Sequence, residues 1–157
     1  MLTFSILTWI EAFFANVESS MRLRQRDATL QQVIQLVNAA GKNQTFSDFS
    51  DSIVHQSHYM DKGLFEEPQD IAFALSIDGA QLTLKKQSNT WIVIIQLLSM
   101  PGDSRYKSDA YWIPLATPGP NAPGDIESFL WPVFADLAKA SEGIWMWDAA
   151  KSSYFVL

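Results

Sequence analysis

The chain has 157 residues, of which 48% are hydrophobic and 18% are charged, a composition typical of one globular domain that excludes a disordered chain. Its net charge of −6, from 11 Lys and Arg against 17 Asp and Glu, argues against DNA binding by this chain alone, because phosphate neutralisation requires the opposite balance. The absence of cysteine excludes disulfides and thiolate zinc sites.

The first forty residues predict two helices. An apolar face at helical spacing extends to about Arg24, and a second apolar series ends at Gly41. We interpret the first face as packing against the rest of the protein, with membrane or partner binding as the alternative. Because the N-terminus lacks a basic flank and no apolar run reaches the length of a membrane span, we expect neither a signal peptide nor a membrane partner.

Three arginines, Arg22, Arg24 and Arg26, lie at the end of the first predicted helix. We interpret them as a solvated helix end, where cations interact favourably with the helix dipole. The alternative is a contact with phosphate groups.

A further helix is predicted over residues 46–60. Three of its apolar residues are expected to face inward: Phe46, Phe49 and Ile53. His55 and His58, with Asp61, have a spacing that could place a metal pair on one helix face. We interpret both histidines as ordinary surface or interface residues and keep the metal pair as the alternative.

From Ile71 onward the hydrophobic period changes to two, which predicts strands. The predicted elements are strands over 71–84, 91–99 and 111–116, a helix from Asp125 to about Ser141, and strands over 144–147 and 153–157. Short connections favour an antiparallel meander for the first three strands. The helix, in which Pro132 should produce a kink, is expected to cross over and bring the next strand beside the first.

Asp78 is the most informative residue of this region, since it follows the apolar alternation of the first predicted strand and precedes Gly79. A carboxylate on a strand has a fixed position, which a magnesium ligand requires. The alternative is a turn residue, because Asp-Gly is a common turn pair. The other acids are interpreted as solvated loop residues, a helix cap or a turn former: Asp103, Asp109, Asp125 and Asp148.

An ordered series of segments resembles the catalytic region of CACTA-type (En/Spm-like) transposases, particularly fungal ones. The series begins with residues 63–82, GLFEEPQDIAFALSIDGAQL. The segments that follow in the family's order are Trp91–Leu97, Arg105–Lys107, Pro118–Pro120, Asp125–Pro132, Glu142–Gly143 and Trp147–Ala149. Upstream, residues 14–20 and 22–26 resemble the family's lead-in, so the resemblance covers most of the chain.

The resemblance implies a mixed α+β or α/β fold, with an N-terminal helical lead-in over residues 1–62 and an incomplete RNase H-like catalytic region over residues 63–157. It implies that Asp78 is the first catalytic carboxylate and a Mg²⁺ ligand. In a full-length relative, the activity would be magnesium-dependent cleavage and transfer of DNA strands, and the location would be the nucleus.

The resemblance also implies that later carboxylates of the family lie beyond Leu157, so that we expect a transposase fragment that is inactive alone and holds Mg²⁺ weakly. One alternative is a domesticated or decayed transposon-derived protein that acts as a protein-interaction module and self-associates through exposed strand edges. A second alternative is a reading frame whose product does not fold stably.

Overall fold

The computed structural model describes residues 5–41, 46–81, 89–119 and 124–157. The N-terminal helices are α1 (Ile6–Phe14), α2 (Val17–Leu23), α3 (Gln25–Ala40) and α4 (Ile53–Met60). The first predicted helix is therefore divided in two. The division lies at Asn16, whose side chain accepts a hydrogen bond from the Ser19 amide at 3.0 Å and caps α2.

Helix α3 ends where the sequence predicted, at Gly41. This glycine has φ 77° and its amide donates to the carbonyl of Val37, a conformation that glycine adopts without the strain of a side chain. Between α3 and the sheet, the helix boundaries differ more from the prediction.

The helix predicted over residues 46–60 is shorter in the structure. Residues 49–51 form a 3-10 turn with Asp48 and Asp51 as a capping box, and α4 begins only after the side chain of Ser52 caps the amide of His55. Phe46 and Ile53 are exposed, so the prediction that they face inward is wrong. The capping side chains compete with helical backbone bonds, which ends one turn and starts another.

The predicted antiparallel meander is confirmed. It consists of β1 (Phe73–Gln81), β2 (Asn89–Leu97) and β3 (Tyr111–Pro118) in that spatial order, with the short helix α5 (Gly102–Arg105) between β2 and β3. The register between β2 and β3 shifts between Val93 and Ile95. The part of the first strand predicted beyond residue 81 lies outside the described residues.

Helix α6 (Ile126–Ser141) follows the meander and contains Pro132. Asp125 caps it, as predicted, by accepting a hydrogen bond from the Ser128 amide at 3.1 Å.

The last two strands, β4 (Trp145–Asp148) and β5 (Ser153–Val156), form a separate antiparallel pair. The prediction that the strand after the helix joins β1 is therefore wrong. The connection between β4 and β5 is short, so local pairing closes the smaller loop and costs less chain entropy. A hydrogen bond from the Ala149 amide to the Phe14 carbonyl ties this hairpin to the end of α1.

The main hydrophobic core combines α1 with the sheet and the hairpin. Its buried residues include Ile6, Ile10, Phe14, Ile95 and Met146. The interpretation of the first apolar face as packing is thus confirmed, and the helical lead-in shares a core with the strands. The boundary after residue 62 stays a prediction. Within the described ranges, no helix is both long and apolar enough to cross a bilayer.

Candidate functional site

Asp78 lies inside strand β1, opposite Ile92 of β2, and not in a turn. Its neighbour Gly79 lies opposite Trp91, and a Cβ on Gly79 would come within 3.2 Å of the indole ring. The glycine therefore gives Trp91 room to lie across β1. The alternative interpretation of Asp78-Gly79 as a turn pair is wrong, because the close approach of Trp91 accounts for the glycine.

The carboxylate of Asp78 is exposed on the face of the sheet that α6 does not cover. Its cross-strand neighbours on that face are Ile92 and Ala116. The adjacent cross-strand pair, Val93 and Leu115, is buried against α6. Successive residues of a strand point to opposite faces of the sheet, so Asp78 lies on the face opposite α6. The carboxylate's Oδ1 accepts a hydrogen bond at 2.7 Å from the Gly79 amide.

Magnesium takes six oxygen ligands in near-octahedral geometry and retains several waters. In residues 5–41, 46–81, 89–119 and 124–157, no group of three or more His, Cys, Asp or Glu side chains is placed to hold a metal ion. Asp78 offers one carboxylate, and these residues do not complete a magnesium site around it.

The acids interpreted as loop or cap residues are spread over separate elements. Asp103 lies in the first turn of α5 and accepts from the Ser104 hydroxyl, and Asp109 is exposed before β3. Hydrogen bonds from the hydroxyl and amide of Ser128 lower the pKa of Asp125, which matches its role as a cap. The structure does not bring these acids to Asp78.

Asp148 is different, because its carboxylate is buried at the end of β4. It accepts a hydrogen bond from the Ser20 hydroxyl at 2.6 Å and forms an ion pair with Arg24. It also accepts from the Ala150 amide at 2.9 Å, which is the turn role that the sequence predicted. Burial alone would raise the pKa of Asp148, but the Ser20 hydrogen bond and the Arg24 charge outweigh burial and lower it.

Arg26 is completely buried and donates to three acceptors. Its Nη1 lies 3.1 Å from His55 Nε2, its Nη2 donates to the Glu67 carbonyl at 3.0 Å, and its Nε donates to the Asp70 carbonyl at 3.2 Å. The interpretation of the arginine cluster as a solvated helix end is therefore wrong for Arg24 and Arg26. Both guanidinium groups connect distant parts of the chain instead.

His55 is buried between two phenylalanine rings. Its ring stacks on Phe49 with centroids 4.7 Å apart and meets the Phe65 ring edge-on at 5.0 Å. Since a guanidinium only donates, Nε2 accepts from Arg26 and the ring proton lies on Nδ1. Burial, with the charges of Arg26 and His58, lowers the pKa of His55 to about 4.

These contacts bear on both interpretations of His55. Nε2 of His55 is occupied by Arg26, so this histidine does not offer that nitrogen to a metal ion shared with His58. The interpretation of His55 as a surface residue is also wrong, because its ring is part of a buried network.

A second ion pair joins the buried Arg105 of α5 to Asp48, which lies 57 residues earlier. The Arg105 guanidinium also donates to the carbonyls of Leu98 and Met100 at 2.7 and 2.8 Å. This interaction fixes the end of β2 against the segment before α4. Nothing in the spacing of Asp48 and Arg105 along the sequence indicates that they meet.

No protein-family model matches the chain, and comparison with curated proteins and with solved structures gives no match either. The resemblance to CACTA-type transposases rests on the ordered segments of the sequence alone.

Proposed function

We propose that the chain is part of the catalytic region of a metal-dependent DNA transposase related to CACTA elements, with Asp78 as the first catalytic carboxylate. The observation that carries the proposal is the position of Asp78: its carboxylate is exposed, on the first strand of the meander, on the sheet face opposite α6. A strand holds the side chain in place, and exposure leaves its oxygen atoms accessible to a cation.

The order of the elements supports an RNase H-like arrangement for this region. An antiparallel meander is followed by a helix that packs on one face of the sheet. In the described residues β1 pairs only with β2, so one edge of β1 has unpaired backbone groups. We propose that a further strand of the complete catalytic region pairs with this edge and brings a second carboxylate to Asp78.

We further propose that the chain by itself has no nuclease activity, because two-metal chemistry needs several carboxylates and no group of three or more His, Cys, Asp or Glu side chains among the described residues is placed to hold a metal ion. Bound magnesium would activate a water and stabilise the charge that develops on the phosphodiester. The role of Asp78 in this chain is to present one fixed oxygen ligand.

Nicking of duplex DNA by the purified chain, with Mg²⁺ or Mn²⁺, tests the proposed inactivity. The expected result is no nicking by the wild type or by Asp78→Ala. Nicking by the wild type that Asp78→Ala abolishes and Asp109→Ala retains would contradict it. Asp109 is a suitable control because it is an exposed acid on another element.

The metal role of Asp78 is tested separately by NMR with Mn²⁺, which broadens the signals of nearby amides. We expect broadening at Asp78 and Gly79 at millimolar Mn²⁺, and its loss in Asp78→Asn. Equal broadening in the wild type and Asp78→Asn would show that the carboxylate does not bind the ion.

The genomic DNA that follows the codon for Leu157 is a further test, since the proposal expects it to encode additional strand-borne acids.

A protein-interaction module is the second candidate function, and a specific surface favours it. On the outer face of the β4–β5 hairpin, Trp145 pairs with Val156 and Trp147 with Tyr154, and these side chains are 70%, 46%, 42% and 67% exposed, respectively. Aromatic side chains contribute about 150–250 Å² each when buried, so this face offers roughly 400–500 Å². That area is within the range of about 300–600 Å² for the largest apolar patch of a typical monomer, and such patches are often functional.

The interaction function predicts self-association. Light scattering should show a dimer or larger species that Trp145→Lys with Tyr154→Lys converts to a monomer. A wild-type monomer that binds no apolar dye would count against this candidate. A cooperative thermal transition in the same samples would exclude the alternative of a product that does not fold.

A further inference from the structure

Residues 63–71, here called the strap, lie between α4 and β1 and form one wall of an apolar cavity of about 290 Å³. The strap contributes Leu64, Phe65 and Ile71 to the cavity, while α1 contributes Leu7 and α6 contributes Leu137. No residue of the strap is fully buried. Segments with few buried contacts open at a lower free energy than the core, so the strap can open while the sheet remains folded.

One buried side chain, Arg26 of α3, attaches the strap to the helices. Its Nη2 donates to the Glu67 carbonyl at 3.0 Å and its Nε donates to the Asp70 carbonyl at 3.2 Å. The guanidinium carbon also lies 5.0 Å from the centroid of the Phe65 ring. The remaining contact of this guanidinium is with Nε2 of His55, at 3.1 Å. His55 is therefore in direct contact with the group that holds the strap.

This arrangement requires a neutral imidazole at His55. Nε2 accepts from Arg26 only while it carries no proton, because a guanidinium can only donate. The ring proton is therefore on Nδ1, which is buried and has no hydrogen-bond partner in the described residues, a cost that water would remove. A second ring proton would place another cation 3.1 Å from the guanidinium. In the described part of the chain, no carboxylate bonds to the imidazole to compensate that charge.

The charged groups around His55 lie on each element that packs against it. Burial, followed by the charges of Arg26 and His58, lowers the pKa of His55 to about 4. The acids on these elements are Asp27 of α3 and Asp70 of the strap, which act on Arg26, Asp51 of the 3-10 turn, which accepts from the amides of residues 47 and 48, and the exposed Glu66 and Glu67 of the strap.

Opening of the strap would expose the imidazole to water. The ring of Phe65 meets the imidazole edge-on at 5.0 Å, and it leaves with the strap. Phe65 also has φ 62°, a conformation that costs free energy for a residue with a side chain and that relaxes when the strap is released. A solvated imidazole takes up a proton at the ordinary pKa of a histidine, so acid favours the open strap.

We propose that the strap is an acid-released closure of the apolar cavity: protonation of His55 breaks its contact with Arg26 and opens the strap while the sheet stays folded. The neutral ring fits only the closed arrangement around the guanidinium, and the charged ring is stable only in water. The device does not depend on the proposed role of Asp78.

Amide hydrogen exchange followed by NMR tests this closure. The reporters are the hydrogen-bonded amides of Leu64, Glu67 and Asp70, and the amides of β2 serve as the reference for the sheet. After correction for intrinsic exchange, protection of the strap should be roughly 50-fold lower at pH 4.5 than at pH 7, because the open state binds an extra proton over most of this range.

The response to urea separates local opening from global unfolding. Exchange of the strap should hardly change up to about 1 M urea, since little surface is exposed, whereas exchange of β2 should accelerate. Strap amides with the same protection and the same urea dependence as those of β2 would show that the strap opens only by global unfolding. That result would overturn the proposal.

Three variants assign the pH dependence to one residue. His55→Gln keeps an acceptor for Arg26 but does not titrate, so protection of the strap should become independent of pH. His58→Gln and Asp70→Asn should retain the wild-type dependence, and Asp70→Asn keeps an acceptor for the Glu67 amide. A fall in protection that persists in His55→Gln would overturn the proposal.

A second measurement needs no variant. The carbon-bound protons of the His55 imidazole in the wild type report its titration directly by NMR, and the protection of the strap should fall over the same pH range. Titration of the ring without a change in strap exchange would overturn the proposal.

Discussion

The guanidinium of Arg26 lies 3.1 Å from Nε2 of His55, and neither side chain is exposed to solvent. Burial lowers the pKa of Arg26, while the charges of Asp27 and Asp70 act in the opposite direction. A guanidinium stays charged even when its pKa is lowered, so this cation depends on its protein acceptors. The contact joins α3 to α4, and the other donors of Arg26 join both helices to the segment before β1.

Replacing Arg26 by Met should destabilise the fold by about 3 kcal/mol, because the carbonyls of Glu67 and Asp70 and the ring of His55 each lose a buried donor. Urea denaturation measures this change. Arg22→Met is the matched control, since Arg22 forms a partly exposed pair with Glu18 and its loss should cost less than about 1 kcal/mol. Similar losses for the two variants would contradict the structural role of Arg26.

His55 should make stability depend on pH between about 4 and 6.5. Its pKa is about 4 in the folded protein and the ordinary value is 6.5, so the unfolded chain binds the extra proton in this window. The free energy of unfolding therefore rises with pH across the window and falls on acidification, by about 3 kcal/mol at most. Thermal unfolding at several pH values measures this dependence.

The control for this titration is a pair of variants on α4. His55→Gln should flatten the pH dependence between pH 4.5 and 6.5, although it also lowers stability at every pH, whereas His58→Gln should retain the wild-type slope. A slope that survives in His55→Gln would assign the effect to other groups.

Replacing Asp148 by Asn should cost about 2–3 kcal/mol at pH 7, because the buried carboxylate loses its charge beside Arg24. The pKa of Asp148 is lowered in the folded state, so its stabilisation is present above pH 4 and is lost as the pH falls through the folded-state pKa. The difference between wild type and variant in urea denaturation should therefore shrink below pH 4. Asp109→Asn, at an exposed site, should change stability by less than about 0.5 kcal/mol.

Replacing Gly143 by Ala should destabilise the junction between α6 and β4 by about 1–3 kcal/mol. Gly143 has φ 90°, and a Cβ there would lie 2.8 Å from Cγ1 of Val156. Gly124→Ala is the control, since no atom of the described residues lies within 4 Å of a Cβ at that position. The melting temperatures of the two variants should differ by several degrees. Equal melting temperatures would show that the hairpin moves to accommodate the Cβ without a loss of stability.

The features that the sequence predicted correctly depend on neighbouring residues. Gly41 ends α3 and Asp125 begins α6 through bonds within one turn. The alternation from Phe73 onward places Asp78 in a strand, and short connections make the first three strands antiparallel. These choices follow from backbone sterics and from periodicity, which a sequence displays directly.

The tertiary structure decided which charged groups are buried and where the last strands pair. Ser20 and Asp148 meet across 128 residues, and no local pattern predicts that contact. One signal was present, because residues two apart on a helix point about 200° apart, so Arg24 and Arg26 could not both share one solvated face. The pairing of β4 with β5, away from β1, likewise depends on competition between distant surfaces for the same strand.

Local sequence therefore determined the elements and the placement of Asp78 on one of them. Only the packing of the folded chain determined which buried charged groups pair with each other. A buried charge is stable only where groups distant in the sequence come together to compensate it.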